Sequence, residues 1–180
     1  MRNERGSLVL AMMALVLLGA LGASLVIITN TEMQIAGNYG LAQEGFYAAE
    51  AGLEIVSQEL ATLADWGSIS AGLTLSTFVD GPPQGDRQLS DGSVLSLTVI
   101  TASLDSRGWR LFAFSPLSRL QAVSERHSTS YVVVWVADDP RGQPDVLALR
   151  AEAFGPRGTR RAVEAVVSRQ QGTLSWIEVW

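Results

Sequence analysis

The chain has 180 residues, 47% of them apolar, and a formal net charge of −5. That length is one ordinary domain plus an appendage, since a domain takes roughly 100–150 residues. There is no cysteine, which excludes disulfides, thiolate zinc sites and a cysteine nucleophile, and lysine is absent too, so that all 13 basic residues are Arg.

Charge is unevenly placed and divides the chain. Arg2 and Arg5 stand against Glu4 in the first six residues, and no basic residue follows until Arg87. Between Thr31 and Trp66 six acids are unopposed (Glu32, Glu44, Glu50, Glu54, Glu59 and Asp65), whereas after Ser70 eleven acids face eleven Arg. The order is a positive tip, an apolar span, an acidic segment and a neutral domain. As boundaries this gives a leader over 1–6, a membrane or assembly helix over 7–30, an amphipathic continuation over 31–66 and an exported domain over 67–180.

Leu8 to Ile28 is an uncharged run of 21 residues. As an α-helix it is about 31 Å long, which matches the hydrocarbon thickness of a bilayer. A cleaved secretory signal has an apolar core of only ~7–15 residues, so the run is too long for one. The basic residues lie on its N-terminal side, which keeps the N-terminus in the cytoplasm and exports the rest. Gly6 stands directly between the charged tag and this run.

Helical periodicity continues past the span. Phe46, Ala49, Leu53, Val56, Leu60 and Leu63 follow a 3-4-3-4-3 spacing, which places them on one stripe. Glu44, Glu50, Glu54 and Glu59 fall mostly off that stripe, and Gly67 after Trp66 offers a stop. The stripe is expected to lie on the domain that follows. In IAGNYG, Gly37, Asn38 and Gly40 are poor helix formers, so a bend or partial melting is expected there.

After Gly67 the period shifts toward two. SVLSLTVI (93–100) alternates after an Asp91-Gly92 turn and reads as a strand, as do WRLFAF (109–114), YVVVWV (131–136), VLALRAEAF (146–154) and RRAVEAVV (160–167). A last short strand is expected from Leu174 to Val179. Residues 117–126 are too polar for a strand and suit a helical excursion. A long helix followed by strands with short turns gives an α+β fold, with an antiparallel sheet packed on the C-terminal half of the helix.

Three stretches taken together carry a family resemblance: the basic leader ending in Gly6 with its apolar run, EMQIAGNY, and FYAAEAGLE. Over about residues 4–56 the chain resembles the PilX-like minor pilins of type IV pilus assembly, which are related to the minor pseudopilins of type II secretion. The resemblance implies a pilin-like fold and cleavage by a prepilin peptidase after Gly6, leaving Ser7 as an N-methylated first residue. The family's usual residue there is aromatic, and Ser7 departs from it. The helix carrying Leu8, Ala11, Leu17, Gly19 and Gly22 would be the assembly element. Ala11 occupies the position, fifth from the cut, where major pilins keep a Glu. The implied partners are other minor and major pilins, the inner-membrane assembly platform, the peptidase and the membrane. The implied location is the bacterial inner membrane in a single pass, and then the pilus or cell surface.

Catalytic signals are sparse. His127 is the only histidine and sits in SERHSTS without a partner cluster, which suits a solvated or capping role. No G-x-S-x-G elbow and no phosphate loop occurs, so an enzyme is not expected, nor a cofactor. Asp138, Asp139 and Asp145 in DDPRGQPD could gather around Ca²⁺, but their spacing is not that of a regular calcium loop and a solvent-facing turn fits better. Arg157, Arg160 and Arg161 form a local basic patch, yet Glu152 and Glu164 lie close by and nucleic-acid contact is not expected. Trp176 and Trp180 suit core packing or, alternatively, a subunit or adhesion contact. Three readings follow: a low-copy pilus subunit, a minor pseudopilin of a secretion or DNA-uptake machine, and a membrane-anchored binding module with an uncleaved anchor.

Overall fold

The computed structural model describes residues 4–120, 128–139, 141–143 and 145–179. His127, Trp180 and residues 121–126 of the expected helical excursion lie outside them. The chain divides into two compact units, Met1–Gly40 and Leu41–Trp180.

Helix α1 runs Glu4–Thr62. It is helical through Gly37, Asn38 and Gly40, so the partial melting expected there does not occur. Each glycine costs about 1 kcal/mol in helix propensity, but breaking a helix mid-length strands four C=O groups on one side of the break and four N–H groups on the other. The larger cost decides. Helix α1 also stops before the expected Trp66–Gly67 boundary. Asp65 adopts an extended backbone and its carboxylate accepts from the Ser68 N–H at 3.2 Å, so Trp66 and Gly67 open a second short helix, α2, Trp66–Ser70. The Trp66 indole N–H donates to the Leu60 carbonyl at 3.0 Å, which holds α2 against the last turn of α1.

The strands are β1 (Asp86–Gln88), β2 (Val94–Ser96), β3 (Arg110–Pro116), β4 (Tyr131–Asp138), β5 (Val146–Phe154), β6 (Arg160–Ser168) and β7 (Gly172–Val179). Helix α3, Leu97–Asp105, follows β2, and α4, Leu117–Leu120, is the described part of the expected excursion. Strands β3 to β7 form one antiparallel sheet in chain order, with β1 and β2 as a separate hairpin. The expected strand over 93–100 is therefore corrected, because only Val94–Ser96 is strand. Leu97, Ile100 and Leu104 also fit a helical stripe, and burial picks that pattern: Leu97 and Leu104 are buried while Val99 is 66% exposed.

Both faces of the sheet are covered over its first strands, which is why YVVVWV is apolar without alternation. One face carries Val132, Val134, Val136, Leu149, Ala151 and Val163, and packs on Ala49, Leu53, Val56 and Leu60 of α1. Phe46 and Leu63 pack at the rim of that cluster, so the whole predicted stripe faces the sheet. Each large aliphatic residue buried there contributes about 1.5–3 kcal/mol. On the other face Tyr131, Val133, Trp135 and Phe154 pack against Leu95, Leu97 and Leu104. The fold is α+β, with an apolar N-terminal helix whose later turns pack on an antiparallel sheet.

Candidate functional site

The feature that burial cannot account for is the first part of α1. Every residue from Gly6 to Gly40 is exposed. Leu10 is 71% exposed and Val16 70%, values expected of polar side chains on a water-soluble helix. An apolar surface of this extent needs lipid or another protein against it. Two of its hydroxyls bond back within the helix: Ser24 donates to the Ala20 carbonyl at 2.9 Å and Thr31 to the Ile27 carbonyl at 3.0 Å. The backbone satisfies itself likewise, the condition for lying in hydrocarbon. Among the described residues this is the one helix long and apolar enough to cross a membrane, and it is compatible with membrane anchoring.

The residues singled out from the sequence, Gly6, Ser7, Leu8, Ala11, Leu17, Gly19 and Gly22, all lie on this exposed helix. A Cβ added at Gly6, Gly19 or Gly22 would meet nothing within 4 Å. Gly19 and Gly22 are three residues apart and so share a side of the helix, leaving a shallow place on its surface.

The other sequence candidates are dispersed. Asp139 stabilises its own loop, its carboxylate accepting from the Gln143 N–H at 3.3 Å and its carbonyl from the Gly142 N–H at 2.8 Å. Asp145 pairs with Arg169 at 3.3 Å. Among the described residues no three His, Cys, Asp or Glu side chains gather as a metal site. The basic patch is broken up by the sheet. Arg160 turns to Glu152 at 2.5 Å and lies over the Phe154 ring, whereas Arg161 lies 4.0 Å from Glu178. Trp176 is half exposed beside Phe46, with ring centroids 6.0 Å apart.

Sequence reasoning missed the polar contacts that hold the domain's parts together. Glu44 accepts from the Ser128 hydroxyl and from the N–H and hydroxyl of Thr129. Fifteen residues along α1, Glu59 accepts from the Ser76 hydroxyl, and from the Thr77 N–H at 2.7 Å and its hydroxyl at 2.8 Å. Glu152 is fully buried between Arg150 and Arg160, and Arg150 also reaches Glu164. Asp80 accepts from Arg87 Nε at 2.9 Å and from the Tyr131 hydroxyl at 2.8 Å. These partners are 2 to 85 residues apart in the chain, and most lie too far apart for a local pattern to announce them.

The local electrostatics follow from these contacts. Burial, and then the hydrogen bond to Asp80, push the Tyr131 hydroxyl above its ordinary range. Burial works against the charges of Arg87 and Arg150, but Asp80 in the first case, and Glu152 with Glu164 in the second, more than offset it and raise both. At the Asp91 turn, the Ser93 hydroxyl and then the Ser93 and Arg157 N–H groups hold the carboxyl below its ordinary value.

Fold and surface together define an α+β protein that presents an unpartnered apolar helix. Compared with known proteins, the chain matches no family model, no curated protein and no solved structure.

Proposed function

We propose that this chain is a minor pilin: a low-copy structural or priming subunit of a type IV pilus, held in the inner membrane by α1 until a filament takes it up. The observation that carries the reading is α1, which is an exposed apolar cylinder over its first turns and the packing partner of a sheet over its last. A subunit that leaves the bilayer for a filament needs a long apolar helical surface to exchange lipid for neighbouring helices, and the exposed turns of α1 supply one. In this reading the prepilin peptidase cuts between Gly6 and Ser7, and the Ser7 amine is then methylated. Leu8, Ala11, Leu17, Gly19 and Gly22 meet neighbouring helices.

Ala11 argues for the position in the filament. A buried carboxylate costs several kcal/mol unless paired, and in a filament its partner is a neighbour's N-terminal amine. A subunit with Ala11 makes no such pairing and is placed best at a tip or in an initiation complex. The test is the distribution of epitope-tagged protein on sheared filaments. Label confined to filament ends is expected. Uniform labelling along the shaft would overturn the tip or initiation placement, and unchanged piliation when the protein is deleted would overturn the pilus reading.

A further inference from the structure

The two edges of the five-stranded sheet are treated differently. The outer edge of β3 is covered by residues 76–80. Ser76 N–H donates to the Phe112 carbonyl at 2.8 Å, Phe114 N–H to the Phe78 carbonyl at 3.0 Å, and Asp80 N–H to the Phe114 carbonyl at 3.1 Å, with Val79 bridged in parallel to Phe114. The outer edge of β7 pairs with nothing among the described residues. Natural sheets blunt such an edge with Pro, Lys or a covering segment. β7 reads GTLSWIEV, with no proline and no basic residue. At its centre Trp176 and Ile177 are 52% and 61% exposed. By register they point to opposite faces, Trp176 opposite Ala165 and Ile177 opposite Glu164.

The flank of α1 beside this edge is acidic. A groove of about 240 Å³ lies between Glu54, Ser57 and Gln58 of α1 and Gly172 and Thr173 of β7. Elsewhere between α1 and β7, Phe46 meets Trp176. Glu50 lies one turn before Glu54 on the same flank. Among the described residues neither carboxylate is in an ion pair, and Glu54 accepts only from the Gln58 amide, at 2.8 Å. By contrast Glu44 and Glu59, on the opposite flank, are fully used in holding loops. The Ser57 hydroxyl at the groove is buried and has no hydrogen-bond partner, an unusual condition for a polar atom in a folded protein.

We infer that the open edge of β7 receives an extended segment of another protein as a sixth strand, with Arg or Lys on the side facing Glu50 and Glu54 of α1. Backbone pairing to β7 supplies affinity, and alternate side chains supply specificity. The added strand covers Trp176 on one face and Ile177 on the other, and its basic side chains meet two carboxylates that form no ion pair among the described residues, while Arg169, which also lines the groove, is already paired with Asp145. Because the β3 edge is closed, strand addition is confined to the β7 edge. The inference does not rest on the pilus reading, since it uses only the domain after Gly40.

The test uses the full chain in phosphatidylcholine nanodiscs and two synthetic peptides, (Arg-Val)4 and (Glu-Val)4, each at about 1 mM, with amide hydrogen exchange as the readout. The Arg peptide is expected to slow exchange of residues 173–179 about ten-fold or more, as for newly paired strand amides. It should leave β1 and β2 unchanged. Glu50→Gln with Glu54→Gln should weaken that binding about ten-fold, the scale of losing two charge contacts. Trp176→Lys should abolish it. Equal protection by the Glu peptide, or none by the Arg peptide, overturns the inference. Protection of β7 that rises with protein concentration without peptide overturns it as well, by assigning the edge to a second copy.

Discussion

Alanine at position 52 separates two opposed effects on the α1–sheet contact. Gly52 lies inside α1, where alanine is worth about 1 kcal/mol more than glycine in helix propensity. Against that gain stands β4. A Cβ at position 52 would come closer than 3.0 Å to Val132 Cγ1, and to 3.5 Å from Val132 Cβ and 3.8 Å from Val134 Cγ2. Carbon atoms settle at about 3.5–4.0 Å, so the closest of these is a clash. Val132 is buried and β-branched, and a rotamer change is resisted from both sides. Overpacking of this kind costs about 1–3 kcal/mol. The net expectation for Gly52→Ala is a loss of up to about 2 kcal/mol, or up to roughly 8 °C in melting temperature for a domain of this size.

The assay is thermal unfolding of the full chain in detergent micelles, followed by near-ultraviolet circular dichroism. Val132→Ala in the same chain should recover part of the loss, giving a coupling of about 0.5–3 kcal/mol in a double-mutant cycle. Gly40→Ala is the control: nothing lies within 4 Å of a Cβ there, so it should be neutral or stabilising. A Gly52→Ala protein that melts as high as Gly40→Ala would refute the close approach of helix and sheet.

Three further outcomes follow from the polar contacts. Tyr131 is held neutral by burial and by Asp80, so its folded ionisation lies above the ordinary phenol value of about 10. Stability should fall as pH rises from about 10, where the unfolded chain ionises and the folded one does not, and Tyr131→Phe should remove this alkaline loss in a pH series of melting curves. Glu152→Ala leaves Arg150 with Glu164 as its remaining partner and the half-exposed Arg160 unpaired, and should cost about 1.5–3 kcal/mol in urea unfolding, whereas Glu152→Gln, which keeps an accepting oxygen, should cost less. Glu59→Ala releases the Ser76–Thr77 contacts and should cost about 1–2 kcal/mol, with faster amide exchange confined to residues 76–80.

The α1–sheet pairing was legible because its signal is local and repeated: Ala49, Leu53, Val56 and Leu60 recur at helical spacing, and all four are buried. Strands β3 to β6 were legible as apolar runs between turn residues. The segment 93–100 misled because Leu95, Leu97 and Val99 satisfy a period of two while Leu97, Ile100 and Leu104 satisfy a helical one. Only packing against Trp135 and Phe154 chooses between them. Strand β1 is three polar residues with no period to read. Glycines 37 and 40 weighed too heavily as breakers, since local propensity is small beside the cost of opening a long helix. Within the candidate site the apolar run and its length were plain in the sequence. The acidic residues were visible only as a count. Their division into loop-holding Glu44 and Glu59 and unpaired Glu50 and Glu54 depends on which flank each faces, and that is settled by contacts far apart in the chain.

The proposed function stands or falls on how the first turn of α1 is processed. The most direct measurement is the mass and N-terminal sequence of the protein purified from the membranes of cells with an active prepilin peptidase. A chain beginning at Ser7 is expected, with Met1–Gly6 removed. An intact Met1 in those cells would contradict the account and leave α1 as an uncleaved anchor.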